Sequence, residues 1–206
     1  MRLARILFTS LCIFICIILL GTIAILGVYA YFARSLPEPS ELYELASSFQ
    51  NTRITDNDGE LLYEFYDPTA GLRVVTAYED ISPLLIDAVV ATEDPTFFSN
   101  VGVNPLSIAR ALYQNLRAGY VVSGASTITQ QVAKNVFLST EKTYTRKIEE
   151  AILATELTRT YSKEQILGVY LNESYFGNMA YGVGAAAETY FGKTPGDLTL
   201  SEAALL

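Results

Sequence analysis

The stretch "SGASTITQQVAKN", Ser123–Asn135, sets small flexible residues, hydroxyls, two amides and a lysine side by side in a chain that is 50% hydrophobic. A Gly-Ala-Ser-Thr turn feeding a helix offers free backbone N–H groups and hydroxyls at its start, and such a terminus attracts anions. Behind it, Gln130, Gln131 and Lys134 stand at spacings that place them on one helical face. Ser126, Thr127 and that face suit a ligand bearing hydroxyls and phosphates. The plain alternative is an ordinary capped helix. Two adjacent glutamines and a lysine behind a small-residue loop fit that alternative poorly.

The rest of the composition narrows the chemistry. The net charge of −8 argues against nucleic-acid partners, which require a cationic footprint. The chain contains no histidine, which removes Ser-His-Asp and Cys-His catalysis and the His-based zinc sites. Both cysteines, Cys12 and Cys16, lie in the apolar N-terminal run, so the remainder has neither a disulfide nor a thiolate metal site. Carboxylates, lysine, arginine, hydroxyls and amides are left to act.

From Ile6 to Ala33 there is no charged residue. About 20 helical residues cross a hydrocarbon core, so this run spans with tilt to spare. A cleaved signal peptide has an apolar core of only about 7–15 residues, so the run reads as a retained anchor. Arg2 and Arg5 precede it and Glu38, Glu41 and Glu44 follow it, which by the positive-inside rule puts the N-terminus in the cytoplasm. The expected organisation is a cytoplasmic tail at 1–5, a single-pass anchor at 6–33, a stalk with short strands at 34–72, and an extracytoplasmic domain at 73–206. "SLPEPSELYELASSFQ" reads as the stalk, and "TRITDNDGELLYEF" as a small hairpin about an Asn-Asp-Gly turn.

From Ser82 onward the periodicity is helical. Asn104 and Pro105 open one helix as N-cap and first-turn proline, and Ser162 with Gln165 opens another as a capping box. A last helical piece is expected over Ala185–Tyr190. The chain ends "LSEAALL", inside a helical pattern, which reads as a domain cut short within a longer protein.

Three further constellations carry polar chemistry. In "ATEDPTFFSN", Glu93 and Asp94 close an apolar helix beside Phe97 and Phe98. A carboxylate held against apolar rings loses solvation and becomes a better proton acceptor; the alternative is a solvated helix end. In "RKIEEA", Arg146, Lys147 and Glu150 occupy one arc, with Ile148, Ala151 and Ile152 opposite. They form either a surface ion pair worth tenths of a kcal/mol or a clamp for a diphosphate, whose oxygens match the arginine fork. In "KEQILGVYLN", Ile166, Leu167, Val169 and Tyr170 form a core stripe flanked by Lys163 and Asn172, a structural pattern.

In this order and spacing the four segments resemble glycosyltransferase family 51, the peptidoglycan glycosyltransferase module of class A penicillin-binding proteins. "GASTITQQVAKN" matches the family's Gly-x-Ser-Thr-Ile-Thr-Gln-Gln-x-x-Lys-Asn at every fixed position, Asn135 included. "EDPTFFSNVG" is similar to Glu-Asp-x-x-Phe-x-x-His-x-Gly, with Asn100 where histidine is usual. "RKIEE" and "KEQILGVYLN" match two more motifs, and the similarity runs from about Val74 to the end.

The resemblance implies a mainly α fold, with a lysozyme-like helical head and a small membrane-proximal jaw. It implies an enzyme that polymerises lipid II into β-1,4 glycan at a bacterial cell membrane, with inversion at the donor C1. Glu93 would be the base, and Glu150 a second catalytic carboxylate that orients a cation or contacts the acceptor. Asp94, Asn100, Ser126, Thr127, Gln130, Gln131, Lys134, Asn135, Arg146 and Lys147 would bind substrate. No cofactor is required on this reading; a divalent Mg or Mn could assist the diphosphate, although no carboxylate cage is visible. The implied partners are lipid II, the growing glycan, the bilayer, a C-terminal transpeptidase domain and other cell-wall synthesis proteins. A lysozyme-like hydrolase or lytic transglycosylase, and a membrane scaffold weakened by Asn100, are the alternatives. Adjacent Arg146 and Lys147 speak against hydrolysis, since a neutral glycan has no diphosphate to stabilise.

Overall fold

Helix α1, Arg2–Ala33, runs without interruption. Its stretch Leu7–Ala33 is 27 residues long, and no residue of its most apolar window is buried. At about 1.5 Å per residue it exceeds the roughly 30 Å of a hydrocarbon core, so it is long and apolar enough to cross a membrane. This is a computed structural model, and it describes residues 2–47, 52–58, 61–65, 71–120, 122, 124–139, 141 and 143–206. The chain falls into two compact units, Met1–Leu36 and Pro37–Leu206.

The second unit is mainly α. Its elements are α2 (Leu42–Ser47), β1 (Thr52–Thr55), β2 (Leu61–Phe65), β3 (Leu72–Arg73), α3 (Pro83–Glu93), α4 (Pro105–Ala118), α5 (Ile128–Val132), α6 (Tyr144–Thr160), α7 (Lys163–Glu173), β4 (Ala180–Tyr181), α8 (Gly182–Phe191) and α9 (Leu200–Leu205). Strands β1 and β2 pair antiparallel as the expected hairpin, with Thr52 opposite Phe65, and Asp56 Oδ1 accepts the Asp58 N–H in the turn. Gly59 of that turn lies outside the described residues. β3 pairs in parallel with β4, two residues on each side.

The core is built around α5, which packs against both α6 and α7. Ile128, Val132, Leu153, Ala154, Leu157, Ile166, Leu167 and Leu171 are buried there. Each such leucine or isoleucine contributes about 1.5–3 kcal/mol relative to leaving it in water. The stripe expected on α7 is the one observed, since Ile166, Leu167, Val169 and Tyr170 are all buried.

Close approach is made possible by small residues. A Cβ on Gly102, at φ +94°, would stand 2.2 Å from the Ala154 carbonyl oxygen, so the loop after α3 lies directly on α6. A Cβ on Gly184 would stand 2.4 Å from the Val74 carbonyl oxygen, which lets α8 seat against the extended segment after β3. The last helix of the glycine-rich segment, expected over Ala185–Tyr190, begins earlier, at Gly182.

Residues 37–47, expected as part of a stalk, are instead docked on the head. Leu42 is 0% exposed, and α2 packs against the segment that follows α5 and against α7. The Tyr161 hydroxyl donates to the Ser40 carbonyl at 3.1 Å, and the Tyr43 and Tyr161 rings meet edge to face at 5.6 Å. The prolines and acids of this segment mark its surface. Its apolar residues decide its place.

Candidate active site

Two adjacent acids at the end of α3 have opposite environments. Glu93 is exposed, and its Oε2 accepts a 2.8 Å bond from Gln131 Nε2. Asp94 is 5% exposed. Its Oδ1 accepts from the Thr96 N–H and hydroxyl, at 3.2 and 2.8 Å, and its Oδ2 from Asn100 Nδ2 and the Ile128 N–H, at 2.8 and 3.4 Å. The desolvated setting expected of Glu93 is therefore not found. Phe97 is 0% exposed and presents its ring face to Lys163, whose Nζ lies 4.7 Å from the centroid.

Asn100 sits between Asp94 and Lys163. Its amide nitrogen donates to Asp94, while its Oδ1 accepts from the Gly102 N–H at 2.9 Å and from Lys163 Nζ at 3.2 Å. These three partners fix the amide's orientation, since only oxygen can accept from both the N–H and the ammonium. Burial pushes the Lys163 ammonium below its ordinary value, and Asp94 pulls it partly back.

The stretch Ser123–Asn135, of which Ser123 lies outside the described residues, has a more local logic than its spacing implies. Thr127 is the N-cap of α5 in a full capping box: its Oγ1 accepts from the Gln130 N–H and the Gln130 Oε1 accepts from the Thr127 N–H, both at 3.1 Å. Thr127 also donates to the Gly102 carbonyl at 2.6 Å. Gln130 is only 2% exposed, so it does not share an accessible face with Gln131 and Lys134. Its amide is occupied in starting the helix. Beyond Val132 the helix widens into a π-helical turn over Ala133–Phe137, which carries Lys134 and Asn135. Such turns re-aim side chains relative to an α-helix and recur at functional sites. Lys134 is half-buried and makes no ion pair among the described residues.

On α6 the wheel reading is reversed at its centre. Glu150 is 2% exposed and shares the inward face with Leu153, Ala154 and Leu157, whereas Ile148 is 38% exposed. Two cations compensate the buried carboxylate: Arg146 Nε lies 3.1 Å from Oε1, and Lys147 Nζ lies 2.5 Å from Oε2. Lys147 also donates to Ser126 Oγ at 2.7 Å. Arg146 and Lys147 are thus held from below by one acid, and Lys147 remains 47% exposed.

Glu93, Asp94, Ser126 and Thr127 line a cavity of about 110 Å³ together with Asn104, the N-cap of α4, and Ser107 and Arg110 on that helix. Ser126 joins its two sides, facing the cavity with Glu93 while gripped by Lys147. Ser107 and Arg110 escaped the sequence reading. Their spacing from Asn104 in steps of three puts all of them on one helical face, a pattern that was present but read only as an N-cap. Among the described residues no three carboxylate, cysteine or histidine side chains gather to hold a metal. The Glu150 oxygens already face Arg146 and Lys147.

The fold and site define a mainly α protein with one membrane-length helix, in which Glu93 shares a small hydroxyl-lined cavity with Ser126, the residue to which Lys147 donates. The transglycosylase family matches residues 58–206, and the chain belongs to that family. It is similar to penicillin-binding protein 1A of Escherichia coli, with 42% identity over 93% of this chain and 22% of the relative. It is likewise similar to the proteins of the same name from Aquifex aeolicus, 45% identical over 84% of this chain and 23% of the relative, and Haemophilus influenzae, 40% identical over 100% of this chain and 22% of the relative. The chain therefore spans less than a quarter of the length of these relatives.

Proposed function

We propose that this chain is a membrane-anchored peptidoglycan glycosyltransferase that joins lipid II units into β-1,4 glycan and releases undecaprenyl diphosphate. The observation that carries the reading is the shared cavity: Glu93 and Ser126 face the same space, and Lys147 reaches Ser126 from the acid that also faces Arg146. The donor sugar is α-linked to a diphosphate and the product bond is β, so a single in-line displacement inverts C1. Glu93, exposed and oriented by Gln131, accepts the proton of the attacking 4-hydroxyl. A diphosphate leaves without a proton but with developing negative charge, and fixed cations stabilise that charge. Lys134, Arg146 and Lys147 supply it, and Glu150 positions the latter two. Asp94, Asn100, Thr127 and Gln130 hold the loop and the helix start rather than the ligand. Ser126, Gln131 and Asn135 remain able to contact sugar.

Substrate and product both keep a lipid tail in the bilayer, so a tethered site meets them at high effective concentration. Helix α4 supports a bilayer-facing jaw, because only its Ala111 is buried while Leu106, Leu112, Tyr113 and Leu116 are exposed. The proposed orientation is a cytoplasmic N-terminus with the catalytic domain outside. A following transpeptidase domain and other cell-wall synthesis proteins are the proposed partners.

The test is incubation of the purified chain, in detergent, with lipid II. Glycan polymer is expected from the wild type, and a rate about 10²–10⁴-fold lower from Glu93→Gln. No polymer from the wild type defeats the proposal; an unchanged rate in the variant removes Glu93 from its role.

A further inference from the structure

A large cavity lies apart from this site. It measures about 790 Å³ and is walled by α2 (Tyr43, Ala46), by the segment Val75–Glu79, and by α7 from Glu164 to Glu173. A second cavity of about 630 Å³ shares its Val75–Ala77 wall and Glu79, and continues to Asp80 and Asp197. None of the residues placed in catalysis lines either cavity.

The chemistry of this double groove is one-sided. Tyr43, Tyr78 and Val169 give the first cavity apolar surface beside the amides of Gln165 and Asn172, while Glu79, Glu164, Asp80 and Asp197 put carboxylates along the groove. Glu173 is paired with Arg73 at 2.7 Å, but no cation pairs with Glu79 or Glu164 among the described residues. Burial pushes the Tyr78 phenol above its ordinary value, and Glu164, Asp87 and Glu79 push it the same way. The Tyr43 phenol is raised by burial, then by Tyr161 and Glu79. Tyr43 and Tyr78 thus stand beside carboxylates with which no cation pairs among the described residues.

We infer that this groove binds an extended basic peptide segment of a partner protein, with arginine or lysine side chains at Glu79 and Glu164 and their stems against Tyr43 and Tyr78. Carboxylates flanking aromatic faces attract a cation on an apolar stem, through ion pairing and cation–π contact together. Two confluent cavities along one extended wall suit consecutive side chains of a peptide better than one compact molecule. The floor is open by composition as well: at Gly168 an added Cβ would meet only the Tyr78 Cβ, at 3.6 Å. Nothing in the packing there demands glycine.

The full chain in phosphatidylcholine nanodiscs is titrated with a labelled nonapeptide of alternating arginine and valine, read by fluorescence anisotropy. Saturable binding is expected, weakened at least tenfold by the Glu79→Gln/Glu164→Gln pair and by the neutral plug Ala46→Phe. The equal-charge control Asp58→Asn/Glu141→Gln, both exposed and outside the groove, should change it less than twofold. Any of four results overturns the inference: no binding to the wild type, a loss as large in the control pair, an unaffected Ala46→Phe, or argininamide binding as tightly as the peptide. The last would make the groove a site for small cations. Glycan synthesis by the groove variants should match the wild type.

Discussion

Replacing Asp94 with asparagine separates what holds this site together from what performs its chemistry. In the wild type both carboxylate oxygens receive donors, the Thr96 N–H and hydroxyl on one side and the Asn100 amide and Ile128 N–H on the other. Asparagine has one oxygen and one NH₂. Whichever way it turns, the NH₂ meets at least one N–H that cannot accept. The Thr96 hydroxyl cannot relieve this by rotating, since Asn104 Nδ2 at 2.9 Å and Asn100 Nδ2 at 3.4 Å already donate to its two lone pairs. Two hydrogen bonds to a charged acceptor are lost, each worth about 1.5–3 kcal/mol. With the 3.4 Å bond at the weak end, the expected loss is about 3–5 kcal/mol, against a total of about 5–15 for a domain. At about 2–4 °C per kcal/mol in a unit of this size, Tm falls by on the order of 10 °C. Glu93→Gln, one residue earlier and exposed, should stay within about 0.5 kcal/mol of wild type. Thermal unfolding followed by circular dichroism in detergent measures both. Equal midpoints for Asp94→Asn and Glu93→Gln would refute the division of roles between these neighbours.

Leu42→Ala should destabilise the second unit by about 2–5 kcal/mol, as for a fully buried leucine; a change under about 0.5 kcal/mol in urea unfolding would return residues 37–47 to the status of a free stalk. Leu106→Glu combined with Leu116→Glu, at positions 82% and 75% exposed, should leave Tm unchanged and, in the unit 37–206 freed of α1, weaken liposome binding read by flotation. Unaltered flotation argues against α4 as a membrane contact. The Glu202 carboxyl is held down to about 2, from 4.5, by its bond to Lys193 and then by the Thr199 N–H and hydroxyl. Because the folded value is depressed, this group's contribution is fully present above pH 4.5 and is lost as pH falls through about 2. Glu202→Gln should therefore flatten the difference in urea midpoint over that window, and parallel acid limbs in variant and wild type would contradict it.

The features legible in the sequence were those that depend on near neighbours along the chain. The uncharged run after Arg5, the N-caps at Asn104 and Ser162, and the α7 stripe are set within a turn or two of the residues concerned. The family resemblance was legible for a related reason, since its motifs are contiguous. Only the tertiary structure decided which polar residues turn inward. Asp94 rather than Glu93 is buried because the start of α5 and the loop around Asn100 both arrive at its side. Glu150 faces the core because two cations on its own helix offset its charge there, a compensation that a helical wheel treats as surface polarity. The π-helical turn at Ala133–Phe137, the docking of Leu42, and the meeting of Arg110 with Glu93 at one cavity likewise depend on segments far apart in the chain. Propensity and periodicity register what a residue does to its own helix. They carry no information about what another helix brings to it, and burial is decided by that second term.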